Sequence, residues 1–398
     1  MKWRRDRRGS GVTRKDARVT IWRRECDGSV KWRPGRRGAG RGAERSGGKR
    51  GGGTAALRRS GGNPGCGGGR RYAHAAIRVL LVTSTYPTPA RPALGGFVRD
   101  QVESLRAVEG LDLELFVFEP GGLNYLRAAR DLRRRYAGER FDVVHAHYGL
   151  NGWSALAVRG APRIVTFHGT DLAHPVVGPL SRALVRLVDV PAPVSASLAR
   201  LERSGLPGAG TRRRAAVLPC GVDTDRFAPR DRREARARLD LDPDGLYLLF
   251  PADPRRPEKR HDRARALAEA AGAELLTYGA APPERVPDMV NAANAVLATS
   301  EREGFGLAPL EALACDVPVL ATDVGIAPLV LRGLAGALCA PFDTGAWLRA
   351  LTPHLDHPDP RIEGRARAAL FDRNRMAARV FEAYRDVAGR SEAGGAPL

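Results

Sequence analysis

The chain has no run of about 18 uninterrupted apolar residues, the length a helix needs to cross a bilayer; Asp323 and Arg332 break the best candidate. Its N-terminus is charged but lacks an apolar stretch behind the charges, so it does not read as a secretory signal. Cysteine is scarce. Cys26, Cys66, Cys220, Cys315 and Cys339 are scattered and odd in number, with no CxxC pair. That argues against a disulfide framework or a cysteine zinc site and fits a reducing cytoplasm. Acidic residues are short in one region only. Residues 1–76 hold 22 Lys/Arg against 5 Asp/Glu, whereas the rest holds 43 against 39, so the net charge of +21 divides into +17 and +4. The basicity therefore belongs to the first fifth and says little about the remainder.

That first fifth also holds 18 of the 46 glycines and too few apolar residues to bury a core. It is predicted to be a disordered Arg/Gly-rich arm. One reading, helped by Trp3, Trp22 and Trp32, is an arm that binds nucleic acid or an anionic membrane through phosphate neutralisation. A solubilising tail is another. The favoured reading is upstream sequence translated from a start placed too early, because organised pattern begins abruptly at Ile77.

From Ile77 apolar strand-like runs alternate with helical ones: IRVLLVTS, LDLELFVFEP, FDVVHAHYG, PRIVTFHGTD and VPAPVS, then GLYLLFPA, AELLTYG, AVLATS and PVLAT. AAVLPCGVD, 215–223, is read with the first set. Strands alternating with helices imply two doubly wound parallel sheets, an α/β architecture. At 398 residues there is room for two such cores. The expected domains are 77–228, a linker over 229–245, and 246–372. A last helix, 373–390, packs back toward the first domain, and 391–398 is a frayed tail. Ligands of such sheets bind beyond the carboxyl ends of the strands. Gly95, Gly96, His145, His147, His168, Gly169 and Asp171 fall there.

The most informative stretch is AVLATSEREGFGLAPLEALACDVPVLAT, 295–322, which reads as strand, loop, helix, strand. Glu303 lies in the loop and Glu311 in the first helical turn, with Pro309 tolerated where no amide is lost. Two carboxylates beside glycines and helix-start amides suit the hydroxyls and phosphates of a phosphorylated sugar. A solvated loop charge and a dipole-favoured first-turn acid account for the same pair equally well.

Set in order along the chain, DVVHAHYG, TFHGTDL, VLPCGVDTDRFAP, RPEKR and Glu303–x7–Glu311 resemble the blocks of the GT-B retaining glycosyltransferases of group 1, which use nucleotide sugars. The similarity runs from about Ile77 to Asp386. TSTYPTPARPALGGFVRDQ and FDVVHAHYGLNG look most like transferases of bacterial surface polysaccharides, teichuronic-acid type among them. The resemblance implies two Rossmann-like domains facing across a cleft. It implies that Glu311 takes the donor ribose and that Glu303 and His168 act at the transferred sugar. Gly304, Phe305, Gly306 and Leu307 would approach sugar and phosphate, and Lys259 with Arg256 would neutralise the diphosphate, met from the other side by Gly95–Gly96. The donor is a substrate, and neither cofactor nor metal is implied. The implied partners are a nucleotide sugar, a sugar or lipid-linked acceptor and an anionic membrane face at the cytoplasmic side, rather than nucleic acid. Two departures stand out. Asp253–Pro254 replace the usual Gly-Arg before the lysine, and the segment between AELLTYG and VPDMVNAAN is short where a base-contacting unit is usual. Asn294 also replaces an aspartate.

Other candidates are weaker. His145 and His147 share a strand face but find no third metal ligand; with Asp171 they are assigned as cleft-lining. Asp223–Thr224–Asp225 and Asp240–Leu241–Asp242 read as solvated turns. The rival functions are a binding protein acting through the arm and a nucleotide-sugar epimerase on the same fold.

Overall fold

The computed structural model describes residues 76–89, 91–92, 94–199, 216–279 and 281–393. The expectations for the basic arm and for the last residues of the tail lie outside them.

Five parallel strands, β1 (Ile77–Thr83), β2 (Leu111–Val117), β3 (Val143–His147), β4 (Arg163–Phe167) and β5 (Val190–Pro193), form a sheet in the order β2-β1-β3-β4-β5. Five more, β6 (Tyr247–Phe250), β7 (Glu274–Thr277), β8 (Ala295–Ala298), β9 (Val319–Ala321) and β10 (Leu338–Cys339), form a second in the order β10-β9-β8-β6-β7. Read from its own first strand, the second sheet repeats the topology of the first. Each therefore reverses direction once, between β1 and β3 and between β6 and β8, and opens a crevice at that switch point. The doubly wound α/β reading holds for both halves.

The strands form because they can be buried on both faces. In β1, Leu80 and Val82 pack with Val144, Ala146 and Val165 on one side, while Val79 and Leu81 pack with Val143 and Ile164 on the other. The second side is covered by the helix Gly96–Arg106 and by the long helix Arg373–Ala393, through Ala377, Val380 and Tyr384. In the second half Leu248, Phe250, Leu297 and Leu320 meet Trp347 and Leu351 of the helix Thr344–Leu355. Both sheets lie in one compact unit, Arg71–Leu398, and a single apolar cluster runs from Leu80 and Val165 through Val222, Phe227 and Phe305 to Leu310.

Some local structure differs from the sequence reading. The described part of AAVLPCGVD, 216–223, forms no sixth strand: only Val222 makes a bridge, to Asp372, where the chain crosses between halves. The 229–245 segment carries a helix, Arg232–Arg238, capped by Asp231. Arg232 and Arg236 of that helix are buried, and Arg236 donates to Asn294 Oδ1 at 3.0 Å. Asn294 also accepts from the Tyr247 amide, so its side chain ties β6 to the Arg232–Arg238 helix. Asp223 is a turn residue but not a solvated one. It accepts from the amides of Asp225 and Arg226 and pairs with Arg373 at 3.0 Å.

Candidate active site

The carboxyl ends of β1, β3 and β4 bring one cluster together. Gly95 starts the Gly96–Arg106 helix at φ +72°, and a Cβ there would stand 2.3 Å from the Thr85 carbonyl, so glycine alone fits. Gly96 has open space around it. One residue on, the Phe97 ring lies 5.0 Å from His168. Tyr148, just past β3, holds φ 71° and ψ 148°, a backbone region almost confined to glycine, and its ring lies 4.4 Å from His168. His147 Nδ1 meets His168 Nε2 at 3.0 Å.

Asp171 works underneath this cluster. Its carboxylate accepts from the amides of His168, Gly169 and Gly149, tying the β4 loop to the helix Gly149–Ala155. Burial lifts its pKa to about 6 against the pull of those amides. Asp171 is 5% exposed and does not line the cleft. Nor does His145: it is fully buried, with Nδ1 on the Tyr384 hydroxyl at 2.6 Å and Nε2 on Thr166 Oγ1 at 2.8 Å. The odd-numbered face of β3 points under the Arg373–Ala393 helix, so sharing a face with His147 puts His145 in the core. His147 is buried too and reaches the cluster only through His168. Among the described residues no group of three metal-ligating side chains exists.

From the second half, the loop after β8 meets this cluster directly. A Cβ on Gly304 would stand 1.7 Å from the His168 carbonyl, and one on Gly169 would stand 2.7 Å from Gly304 Cα. Ser195 Oγ, beyond β5, donates to the Gly304 carbonyl at 2.6 Å. Behind the loop Gly325, at φ +60°, leaves room for the Phe305 carbonyl, which accepts from the Ile326 amide at 2.7 Å. The amides of Gly304, Phe305 and Gly306 have no acceptor among the described residues. Phe305 itself is buried, and Leu307 caps the helix Ala308–Ala314 with its carbonyl.

The charged residues gather at the same edge. Lys259 Nζ donates to Glu303 Oε1 at 2.6 Å and Ser300 Oγ donates to the same oxygen at 2.7 Å, leaving Oε2 without a donor among the described residues. Arg256 pairs with Glu258 at 2.6 Å and lies within electrostatic reach of Tyr148 across the cleft, lowering a phenol pKa that burial raises. Arg255 turns instead to Asp253 and is largely exposed. Glu311 accepts from the Tyr278 hydroxyl at 3.2 Å; burial raises its pKa, opposed by Arg226 and by that hydrogen bond. Arg226 also reaches Asp100 of the Gly96–Arg106 helix, 3.4 Å away.

Sequence reasoning missed Tyr148, Ser195, Tyr278, Ser300 and Arg226. Ser195 and Ser300 follow strands that were recognised, so their places at carboxyl ends were available signals. Tyr148 and Tyr278 likewise follow recognised strands, whereas Arg226 carried no such signal.

Comparison with known proteins finds matches for both halves. The family description "Glycosyltransferase Family 4" matches residues 69–226, and "Glycosyl transferases group 1" matches residues 256–369. A D-inositol 3-phosphate glycosyltransferase of Actinosynnema mirum is 30% identical over 350 residues, covering 71% of this chain and 79% of that protein. The chain belongs to the group 1 glycosyltransferases. This glycosyltransferase also shares its fold with solved structures. Sucrose-phosphate synthase from Thermosynechococcus elongatus aligns at a TM-score of 0.63 and 19% identity, over 79% of this chain and all of that one. HepE of Anabaena, solved in complex with UDP-glucose, aligns at 0.56 and 15%, over 77% and 99%. The fold is thus GT-B, with the two Rossmann-like halves expected of it.

Proposed function

We propose that this glycosyltransferase moves a sugar, with retention of configuration, from a nucleoside-diphosphate sugar to a hydroxyl acceptor. One observation carries the reading: the Glu303–Leu307 loop, with free amides and a carboxylate paired to Lys259, is pressed by Gly304 against the backbone of His168 and Gly169. Transfer builds positive character at the anomeric carbon and negative charge on the departing diphosphate. Lys259, Arg256 and the loop amides suit the second charge, and no metal is needed for it. Glu303 and His168 suit the sugar, and Glu311, through the oxygen Tyr278 leaves open, suits the ribose. Gly95 and Gly96 let the first loop approach the diphosphate from the facing half. Because the leaving phosphate can take the acceptor's proton on the same face, no covalent nucleophile is assigned.

The UDP-glucose complex of a protein with this fold supports a nucleotide-sugar donor, and uracil is the base to test first. The acceptor is read as a sugar or lipid-linked sugar of the bacterial cell surface, met at the inner membrane face. The helix Gly122–Arg135 supports that placement, since Leu123 and Leu126 are exposed on it beside Arg127, Arg130 and Arg134.

A thermal-shift screen of nucleoside diphosphates and nucleotide sugars, repeated on Glu311→Ala, tests the donor site. Stabilisation of the parent protein but not the variant is expected; equal stabilisation of both removes the ribose role. Product anomeric configuration by NMR tests retention, and inversion overturns it.

A further inference from the structure

His147 is fully buried, and its ring is used by nothing in the proposed reaction. Its Nδ1 lies 3.0 Å from His168 Nε2, with the two rings within 22° of coplanar. Its other nitrogen, Nε2, has no hydrogen-bond partner among the described residues. Its carbonyl is held by the side-chain amide of Asn151, so the end of β3 is anchored independently of the ring. Burial keeps both imidazoles neutral, His147 down to about 3.

Two neutral arrangements satisfy the contact. If His168 donates from Nε2, His147 must carry its own proton on Nε2 and bury an N–H with no acceptor. If His147 donates from Nδ1, the orphan is a bare lone pair. A buried N–H without an acceptor is the rarer and costlier of the two. The second arrangement leaves His168 no choice: its Nε2 accepts, so its proton sits on Nδ1.

We infer that His147 is a positioning residue that holds His168 as the Nδ1–H tautomer and fixes its ring between Phe97 and Tyr148. His168 then offers the site a directed N–H donor rather than a lone pair. Such a donor matches a sugar hydroxyl or ring oxygen and repels a second cation. Asp171 does not compete for this proton, because its carboxylate is engaged by the main-chain amides of His168, Gly169 and Gly149. His145 does not compete either, its two nitrogens being taken by Tyr384 and Thr166.

The catalytic side of this inference rests on the proposed role of His168; the tautomer does not. Nitrogen-15 NMR of the full chain labelled at histidine reads the tautomer without substrate, His168 being assigned by its loss in His168→Gln. A protonated Nδ1 and a bare Nε2 are expected, and the reverse pattern overturns the inference. His147→Asn, whose amide N–H overlays the imidazole Nδ1–H, should keep that pattern, whereas His147→Leu should lose it. With a nucleotide sugar that the parent protein turns over, the leucine variant should lose about tenfold in kcat with little change in donor KM, as expected when one orienting hydrogen bond goes. The asparagine variant should recover most of that loss. An unchanged His168 tautomer in His147→Leu, or an equal kcat loss in both variants, also overturns it. Failure of every nucleotide sugar to turn over would instead count against the reaction proposed above, since the NMR result stands by itself.

Discussion

The two halves of the molecule have the same strand order and opposite chemistry at their carboxyl ends. The first presents a neutral, aromatic row, His147, His168, Tyr148 and Phe97, set over a core in which His145 and Asp171 are hydrogen-bonded internally. The second presents ion pairs, Lys259 with Glu303 and Arg256 with Glu258, and loop amides without acceptors. One topology thus supplies two positioned edges, and side chains decide what each edge can bind.

Removing the cation from the charged edge should have the largest effect. Lys259→Ala is expected to lower kcat/KM for transfer by about 10²–10³-fold, the usual loss when one fixed charge-stabilising group is deleted. Activity within a few-fold of the parent would mean that the diphosphate is neutralised elsewhere. Gly304→Ala attacks the seam between the halves. With the His168 carbonyl 1.7 Å from the new Cβ, the loop must retreat, and a displacement near 1 Å costs about 10²-fold in turnover. Gly96→Ala, with open space around it, is the matched control and should leave the melting temperature unchanged.

A smaller effect should appear with pH. Under the proposed ribose role the Glu311 carboxylate must be charged, and its pKa is raised by burial, so donor KM should climb as pH falls through that raised value. Tyr278→Phe deletes a hydrogen bond that favours the carboxylate. The climb should therefore begin at higher pH in the variant, with kcat little altered. A pH profile of KM that the variant leaves in place would separate Tyr278 from Glu311. For stability the sign is opposite in sense: a carboxyl whose pKa is raised on folding stabilises the protonated side, and that contribution is lost as pH rises.

The smallest effect belongs to the core beneath the neutral edge. Tyr384→Phe strands His145 Nδ1 and should cost about 1–3 kcal/mol of stability, the price of an unsatisfied buried group, while transfer activity is retained. Denaturant titration beside an activity assay would check both halves of that statement. A collapse of activity without a loss of stability would place His145 in the reaction after all.

Much of this was legible in the chain itself. Apolar runs of four to eight residues marked the strands of both sheets, because burial on two faces demands continuous hydrophobicity. Glu303 and the glycines of the loop after β8 could be named because they follow a recognisable strand end, and Lys259 because RPEKR resembles a block of the group 1 glycosyltransferases. Leu338–Cys339 was not, since a two-residue edge strand leaves no periodicity to read. Neither was the Arg232–Arg238 helix, whose four arginines suggest a solvated linker although Arg232 and Arg236 are buried against backbone carbonyls.

Local sequence thus determined the alternation of elements, the two halves and the residues at strand ends, because each depends on neighbours a few positions apart. Only the tertiary structure decided which of the three histidines faces the cleft and which is core. His145 is separated from Tyr384 by 239 residues, and Gly304 from Ser195 by 109. Contacts across such separations are set by how two sheets and a returning helix pack, and no spacing rule within the chain encodes them.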